Sequence, residues 1–454
     1  MSTQLTSDQV LALAPDASSA SAGKKLGSTK TWKNLGQNSA ALWGECQGSA
    51  LYQVKIDLST LTTQCSCPSR KFPCKHGLGL LFLAATDAGA IPTAEPPGWV
   101  AAWLAKRQAG SARTGNQKQG TEASESSERT QSTQASQAAQ AKRVEKRQAL
   151  VLKGLDSLDL WLNDLVRHGL ASAQTQPISF WESRAAQMID AQAHGIAARV
   201  RHLATIPNAS RTWPEKLLDE LGRLALLTHA YRRSEQLDTL LQEDVRQMIG
   251  WTLSQEEVGA RGEIVSDDWL ILGQTLDEEE RVRVQRTWLL GIRSQRQALL
   301  LQFSAAGAPF PEMYLLGSHE EADLLFWPSA CPQRARFAAR RGASIPITEQ
   351  LPCVETINAF LANISGMLAR QPWMERFLCV LRNVTPICID NGAAWYARDA
   401  GGAVLPLTKG EYWQLLALSG GHPVDLAGEW DSETLLPLGV LVDNTYIVLG
   451  RTLQ

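Results

Sequence analysis

The chain has 454 residues, with 44 Lys and Arg against 46 Asp and Glu, for a formal net charge of −2. That balance excludes a polycation or an acidic-tail protein, and the length exceeds what one hydrophobic core organises, so two to three domains are expected. No run of 18 apolar residues occurs, which excludes a membrane-spanning helix of ordinary length.

Met1 to Lys25 is polar and lacks a charged start followed by an apolar stretch. No secretory signal is therefore expected, and a cytoplasmic location is. Ser7 to Ala14 reads as one short helical turn capped by Ser7. From Lys24 to Leu83 the balance shifts: eight basic side chains face two acidic ones, a net of +6. This excess has the form of a phosphate-binding face, although a solvated surface gives the same pattern. Two strand-like runs, Ala40–Cys46 and Leu51–Leu58, are split by Gly48. Val54, Ile56 and Leu58 alternate with Lys55 and Asp57, as in a half-buried strand, so a hairpin is expected.

The hairpin leads into Cys65-Ser66-Cys67-Pro68-Ser69-Arg70-Lys71-Phe72-Pro73-Cys74-Lys75-His76. Three thiols and one imidazole in twelve residues make one full donor set for a tetrahedral zinc ion. Cys65 and Cys67 leave the same face of an extended segment. On a helix, Cys74 and His76 would point about 200° apart. They share a metal only if Cys74 precedes the first turn, and Pro73 favours a turn there. The helix is then expected to run from near Lys75 through Leu78, Leu81 and Phe82 until Asp87 and Gly89 stop it. A redox Cys-x-Cys pair is the alternative, whereas a disulfide framework fits poorly in a chain of this length without a secretory signal. Arg70, Lys71 and Lys75, on backbone that a metal would pin, are the best candidates to meet nucleic-acid phosphates, with Lys55 on the second strand.

The pattern Cys-x-Cys, six residues, Cys-x-His resembles the SWIM zinc finger. The flanks, Leu42-Trp43-Gly44-Glu45-Cys46-Gln47-Gly48-Ser49 and Cys65-Ser66-Cys67-Pro68-Ser69, are similar to those of bacterial SWIM-domain proteins. The resemblance covers about residues 24–105. It implies that Cys65, Cys67, Cys74 and His76 ligate one structural Zn2+. It also implies a ββα module that binds DNA or protein without enzymatic activity.

Trp99, Val100, Trp103 and Leu104 close this region as a helix laid on the hairpin. Between Leu104 and Val144 there is no Val, Ile, Leu, Met, Phe, Trp or Tyr. Such a stretch cannot bury enough surface to offset ordering, so residues 106–143 read as a disordered tether that transmits no packing. From Val144 the pattern is helical. The stripes are Val151, Leu155, Leu158, Leu162 and Leu165; Ile189, Ala193, Ile196, Val200 and Leu203; Leu217, Leu221, Leu224 and Tyr231 after Trp213-Pro214; and Leu237, Leu240, Leu241, Val245 and Met248. His168, His194, His202 and His229 are scattered on these helices without a carboxylate at metal spacing.

After Trp269 the pattern turns to strands: Trp269–Leu272, Val282–Leu289, Ala298–Phe303 and Ala322–Trp327. Pro386–Asp390 and Ala393–Arg398, joined through Asn391-Gly392, read as a hairpin, and Leu435–Val442 with Tyr446–Leu449 as another. Helical pieces are expected at Glu355–Ala369 and Glu411–Leu418. The run Asp277-Glu278-Glu279-Glu280 reads as a solvated turn. Of the many tryptophans, most are expected in cores and one or two as stacking platforms for bases. No Gly-rich phosphate loop, His-Glu-x-x-His or Gly-x-Ser-x-Gly occurs, so no catalytic residue and no small-molecule substrate is identified.

The expected architecture is multidomain α+β. An N-terminal domain (1–105) holds the ββα zinc module (about 51–87), followed by the tether (106–143), a helical bundle (144–255) and an antiparallel-strand-rich α+β region (256–454). The expected function is a zinc-binding, non-catalytic DNA-binding or recruitment factor. The alternatives are a protein-interaction adaptor of an AAA-type ATPase assembly and an enzyme in the C-terminal region.

Overall fold

A computed structural model describes residues 6–48, 50–58, 60–69, 71–113, 128–279, 282–305, 308–389 and 392–449. The N-terminal part contains helices α1 (Ser7–Ala12) and α2 (Ala17–Lys25). A four-stranded antiparallel meander follows, β1 (Trp32–Gln37), β2 (Ala41–Gln47), β3 (Leu51–Asp57) and β4 (Thr63–Cys65), and then helices α3 (Lys75–Thr86) and α4 (Gly98–Arg113). The expected hairpin is β2–β3, and β3, β4 and α3 form the ββα unit. The cap of α1 is Thr6 rather than Ser7: its side chain accepts the Gln9 N–H while the Gln9 side chain accepts the Thr6 N–H.

Helix α3 is apolar all round because it is covered on two sides. One face meets Leu42, Val54 and Ile56 of the sheet. The other meets α2 so closely that a Cβ on Gly79 would lie 2.6 Å from Leu26 Cβ. Helix α4 lays Trp99, Val100 and Leu104 on Ala41 and Trp43, as the sequence pattern requires.

Helical backbone enters the expected tether from both ends. Helix α4 runs to Arg113, and α5 (Glu128–Arg167) begins well before Val144. Alanine, glutamine, glutamate, lysine and arginine are strong helix formers even where there is nothing to bury. Residues 114–127 lie outside the described residues.

Helices α6 (Ile178–Asp190), α7 (His194–Leu203), α8 (Trp213–Arg232) and α9 (Thr239–Ile249) pack with α5 around Leu155, Leu158, Trp181, Ile196, Val200, Leu221 and Leu224. The stripe from Ile189 to Leu203 is divided between two helices. The chain turns at Ala191-Gln192, with Gln192 at φ 59°, and a 3.6-residue period survives the turn because both helices face one core. A further helix, α10 (Gln255–Arg261), is capped by Ser254 and Glu257 and extends the helical region past 255.

The C-terminal region holds two six-stranded sheets. The first comprises β5 (Glu263–Glu279), β6 (Val282–Gly291), β7 (Gln297–Ala305), β8 (Ser318–Phe326), β9 (Arg334–Arg340) and β10 (Ile345–Pro346). The order β8-β5-β6-β7 is a Greek key, and β9 closes the ring by pairing parallel to β7 and antiparallel to β8. The result is a five-stranded Greek-key barrel of OB-fold type, filled by Trp269, Leu289, Leu300, Leu324 and Phe326. Asp277, Glu278 and Glu279 are not a turn. They extend β5 and pair with Val284, Arg283 and Val282, because the neighbouring strand continues past them. Glu280 lies outside the described residues.

Helix α11 (Ile357–Arg370) leads into the second sheet: β11 (Phe377–Ile389), β12 (Ala394–Arg398), β13 (Val404–Pro406), then helix α12 (Trp413–Ser419), β14 (Val424–Trp430), β15 (Leu435–Val442) and β16 (Thr445–Val448). Its order is β13-β12-β11-β14-β15-β16. Both expected hairpins form. The β15–β16 turn places Asp443 and Asn444 at φ 47° and 56°, as a two-residue type I′ turn demands. In the β11–β12 connection Asp390 and Asn391 lie outside the described residues. Leu270, Leu272 and Trp288 of the barrel pack against Leu378, Val380, Ala427 and Leu438 of the second sheet. Of the tryptophans weighed as stacking platforms, Trp413 alone is largely exposed.

The N-terminal domain is joined to the barrel by more than the chain. The segment between β7 and β8 runs against the β3–β4 turn: Thr62 Oγ1 donates to the Pro311 carbonyl at 2.9 Å, and the Met313 N–H donates to the Thr60 carbonyl at 2.9 Å. Met313 and Leu315 complete the apolar core under α3. The expectation that nothing but a tether connects the two is corrected by this contact.

Candidate metal centre

The local chain brings the four donors together from two sides. Strand β4 ends on Cys65. The next residue, Ser66, is laced back to β3: its N–H donates to the Gln53 carbonyl at 3.0 Å, and its Oγ accepts the Gln53 N–H at 2.9 Å. This turns Ser66 away and leaves Cys65 and Cys67 facing α3. On the other side Cys74 is the N-cap of α3, with extended backbone (φ −73°, ψ 166°), and its sulfur accepts the Gly77 N–H at 3.5 Å. The helix therefore starts where the ligand spacing requires, and His76 sits in its first turn.

Cys65 Sγ and His76 Nδ1 are 3.7 Å apart, and all four donors lie within 4.8 Å of one another. In a tetrahedral site with Zn–S bonds of about 2.3 Å and a Zn–N bond of about 2.0–2.1 Å, neighbouring donors stand roughly 3.6–3.8 Å apart. The arrangement needs only a small contraction to close on the ion. Cys74 and His76 are buried and Cys65 and Cys67 half-buried, and the Tyr52 ring stacks on His76 at 4.7 Å between centroids. Tyr52 carried no sequence signal beyond its place on a strand.

Proton sharing points the same way. The Cys65 thiol donates to Cys74 and, with His76 and the Gly77 N–H, holds the Cys74 sulfur down to about 4, whereas the same hydrogen bond and burial push Cys65 up. Burial also raises Cys67. A Zn2+ ion held by Cys65, Cys67, Cys74 and His76 would take the place of the shared protons and neutralise thiolates that burial disfavours. Four protein donors leave no position for water or substrate, which makes the site structural. The Cys/His set fits one structural zinc ion, and no other His/Cys/Asp/Glu group among the described residues is positioned to hold a metal.

The cations expected to meet phosphates fare differently. Arg70 lies outside the described residues. Lys71 pairs with Asp16 at 2.8 Å. Lys55 turns inward: its Nζ lies 5.6 and 5.5 Å from the Trp99 and Trp103 ring centroids and donates to the Trp99 carbonyl at 3.3 Å. Burial lowers its pKa. The sequence pattern lays this helix on the hairpin but does not say which strand residue its tryptophans cover, so the capture of Lys55 was not legible there. Lys75, the first residue of α3, is exposed.

Two family models match the chain: the SWIM zinc finger over residues 52–85, and the SWIM-associated four-helix bundle domain over residues 146–249. No curated protein and no solved structure matches. No helix among the described residues is long and apolar enough to cross a membrane. The chain thus carries a SWIM zinc finger with its four donors clustered as a metal site, followed by the SWIM-associated four-helix bundle domain.

Proposed function

We propose that this zinc-held module binds nucleic acid, DNA in particular, and that the protein acts in the cytoplasm as a recruitment factor rather than by catalysis of its own. The supporting observation is the pairing of a closed structural metal site with Lys75, exposed on the helix whose start the site pins. A lysine on fixed backbone, at the positive end of a helix, offers a phosphate a partner whose ordering is already complete. The test is fluorescence anisotropy of full-length, zinc-loaded protein with labelled duplex DNA across a salt series. Binding that weakens steeply with salt supports the reading, and no binding at low salt overturns it.

A second reading, an adaptor of an AAA-type ATPase assembly, is favoured by the bundle surface. Ile178 and Leu160 are 73 % and 69 % exposed there. Side chains so exposed would shed water-facing apolar surface on contact with a partner. It requires that an ATPase co-purifying with the wild type be lost from Leu160→Ser/Ile178→Ser protein.

A further inference from the structure

Of the cations that sequence spacing singled out, Lys55 and Lys71 are engaged, but another set is not. Lys24 and Lys25 end α2, Lys30 and Lys33 lie just before and within β1, and all four are exposed. Among the described residues none of them takes part in an ion pair, whereas Lys71 and Arg107 of the same domain do.

These lysines share one edge of the domain. Trp32 Nε1 donates to the Leu26 carbonyl at 2.8 Å, binding the end of α2 to the start of β1. The first turn of α3 abuts the same place: the Lys75 carbonyl oxygen lies 3.4 Å from where a Cβ on Gly23 would stand. Cys46, opposite Trp32 in the sheet, lies close enough to Lys75 to feel its charge. Glu45, across from Lys33, is occupied by Asn34 at 2.6 Å and Gln53 at 3.1 Å.

Lysines on an edge strand guard against strand addition, and lysines at a helix C-terminus offset its dipole. The first covers Lys33 and the second Lys24 and Lys25, leaving Lys30. Neither explains why both pairs and Lys75 gather on one side.

We propose that this α2–β1 ridge, with Lys75 at its foot, is the surface that contacts the phosphate backbone of duplex DNA. The inference rests on the nucleic-acid reading above and moves its contact surface away from the metal loop. A duplex is the partner because the ridge carries no exposed aromatic side chain, Trp32 being 7 % exposed. Single strands are held mainly by stacking on such rings, whereas a double helix turns its phosphates outward. Contacts of this kind position without reading sequence.

The experiment compares full-length, zinc-loaded wild type with Lys24→Gln/Lys25→Gln/Lys30→Gln/Lys33→Gln and with Lys71→Gln, on a mixed-sequence duplex DNA. All are first checked for one zinc per chain and unchanged circular dichroism. About five phosphate contacts give a log–log salt slope of roughly −4.5 in the wild type. The quadruple variant is expected to lose about 100-fold or more in affinity at about 50 mM salt, with the slope shallower by about 3 to 4. Lys71→Gln is expected to bind as the wild type does. A quadruple variant that keeps wild-type affinity and slope overturns the ridge while leaving nucleic-acid binding standing. Tighter binding of duplex RNA or of a single strand overturns the choice of partner. A wild type that fails to bind any of them at low salt overturns the nucleic-acid reading itself.

Discussion

Cys74 caps the helix that presents His76. Its sulfur accepts the Gly77 N–H at 3.5 Å while facing Cys65 and His76 from the opposite side. One atom thus starts the helix and contributes to the metal site, so helix geometry and coordination geometry constrain each other.

The two duties separate by substitution. Cys74→Ser keeps a capping oxygen but not a thiolate ligand, and Cys74→Ala removes both. We expect both variants to lose the bound zinc and the protease resistance of residues 6–113, since structural zinc supplies on the order of 10–16 kcal/mol of apparent binding energy at neutral pH. We expect Ser to retain more residual helix than Ala, because an N-cap contributes about 0.5–2 kcal/mol. Metal analysis and far-UV circular dichroism read the two effects. A Cys74→Ala protein that retained zinc would contradict this account.

Leu315 belongs to the barrel by sequence and to the zinc module by packing, at 3 % exposure. Leu315→Ala should cost about 2–5 kcal/mol. It should also speed zinc loss to a chelator, because the core under α3 loses a wall. Conversely, stripping zinc from the wild type should expose residues 308–315 to proteolysis. Zinc-loss kinetics unaffected by the substitution would show that the contact carries no coupling.

Asp244 on α9 accepts the Ala330 N–H at 2.8 Å, joining the bundle to the β8–β9 loop of the barrel. Burial disfavours its charged form and raises its pKa to about 6 from an ordinary 3.8. Between those values the folded chain holds a proton that the unfolded chain has released, so this group's contribution to stability falls as pH rises from about 4 to 6 and is level above. The upper bound is about 3 kcal/mol. Asp244→Asn should flatten this slope. Melting temperatures of wild type minus variant, taken across that window, isolate it from the zinc ligands, which titrate in both proteins. A difference that does not change with pH refutes it.

Glu429 on β14, 1 % exposed, accepts from Trp288 Nε1 at 2.7 Å, Arg286 Nε at 3.2 Å and Arg376 Nη1 at 2.8 Å. It thus holds the second sheet to β6 of the barrel. Removing one partner of a buried ion pair strands the other charge, so Glu429→Ala should destabilise the C-terminal region by about 3–5 kcal/mol. Denaturant unfolding monitored by tryptophan fluorescence would register it, and a loss below about 1 kcal/mol would mean that Arg286 and Arg376 find water instead.

Sequence by itself determined what depends on near neighbours along the chain. The ligand set, the start of α3 at Lys75, the β2–β3 hairpin, the Asp443-Asn444 turn and the apolar stripes of α5 and α8 all follow from spacings of two, four or seven residues. Tertiary structure alone decided what depends on distant segments meeting. Lys55 became a half-buried partner of Trp99 and Trp103, Lys71 was taken by Asp16, and β9 closed a barrel between β7 and β8. Leu315 was lent to a core it does not adjoin in sequence. Periodicity records which face of an element is apolar but not what covers that face, and a lysine's availability depends on the cover.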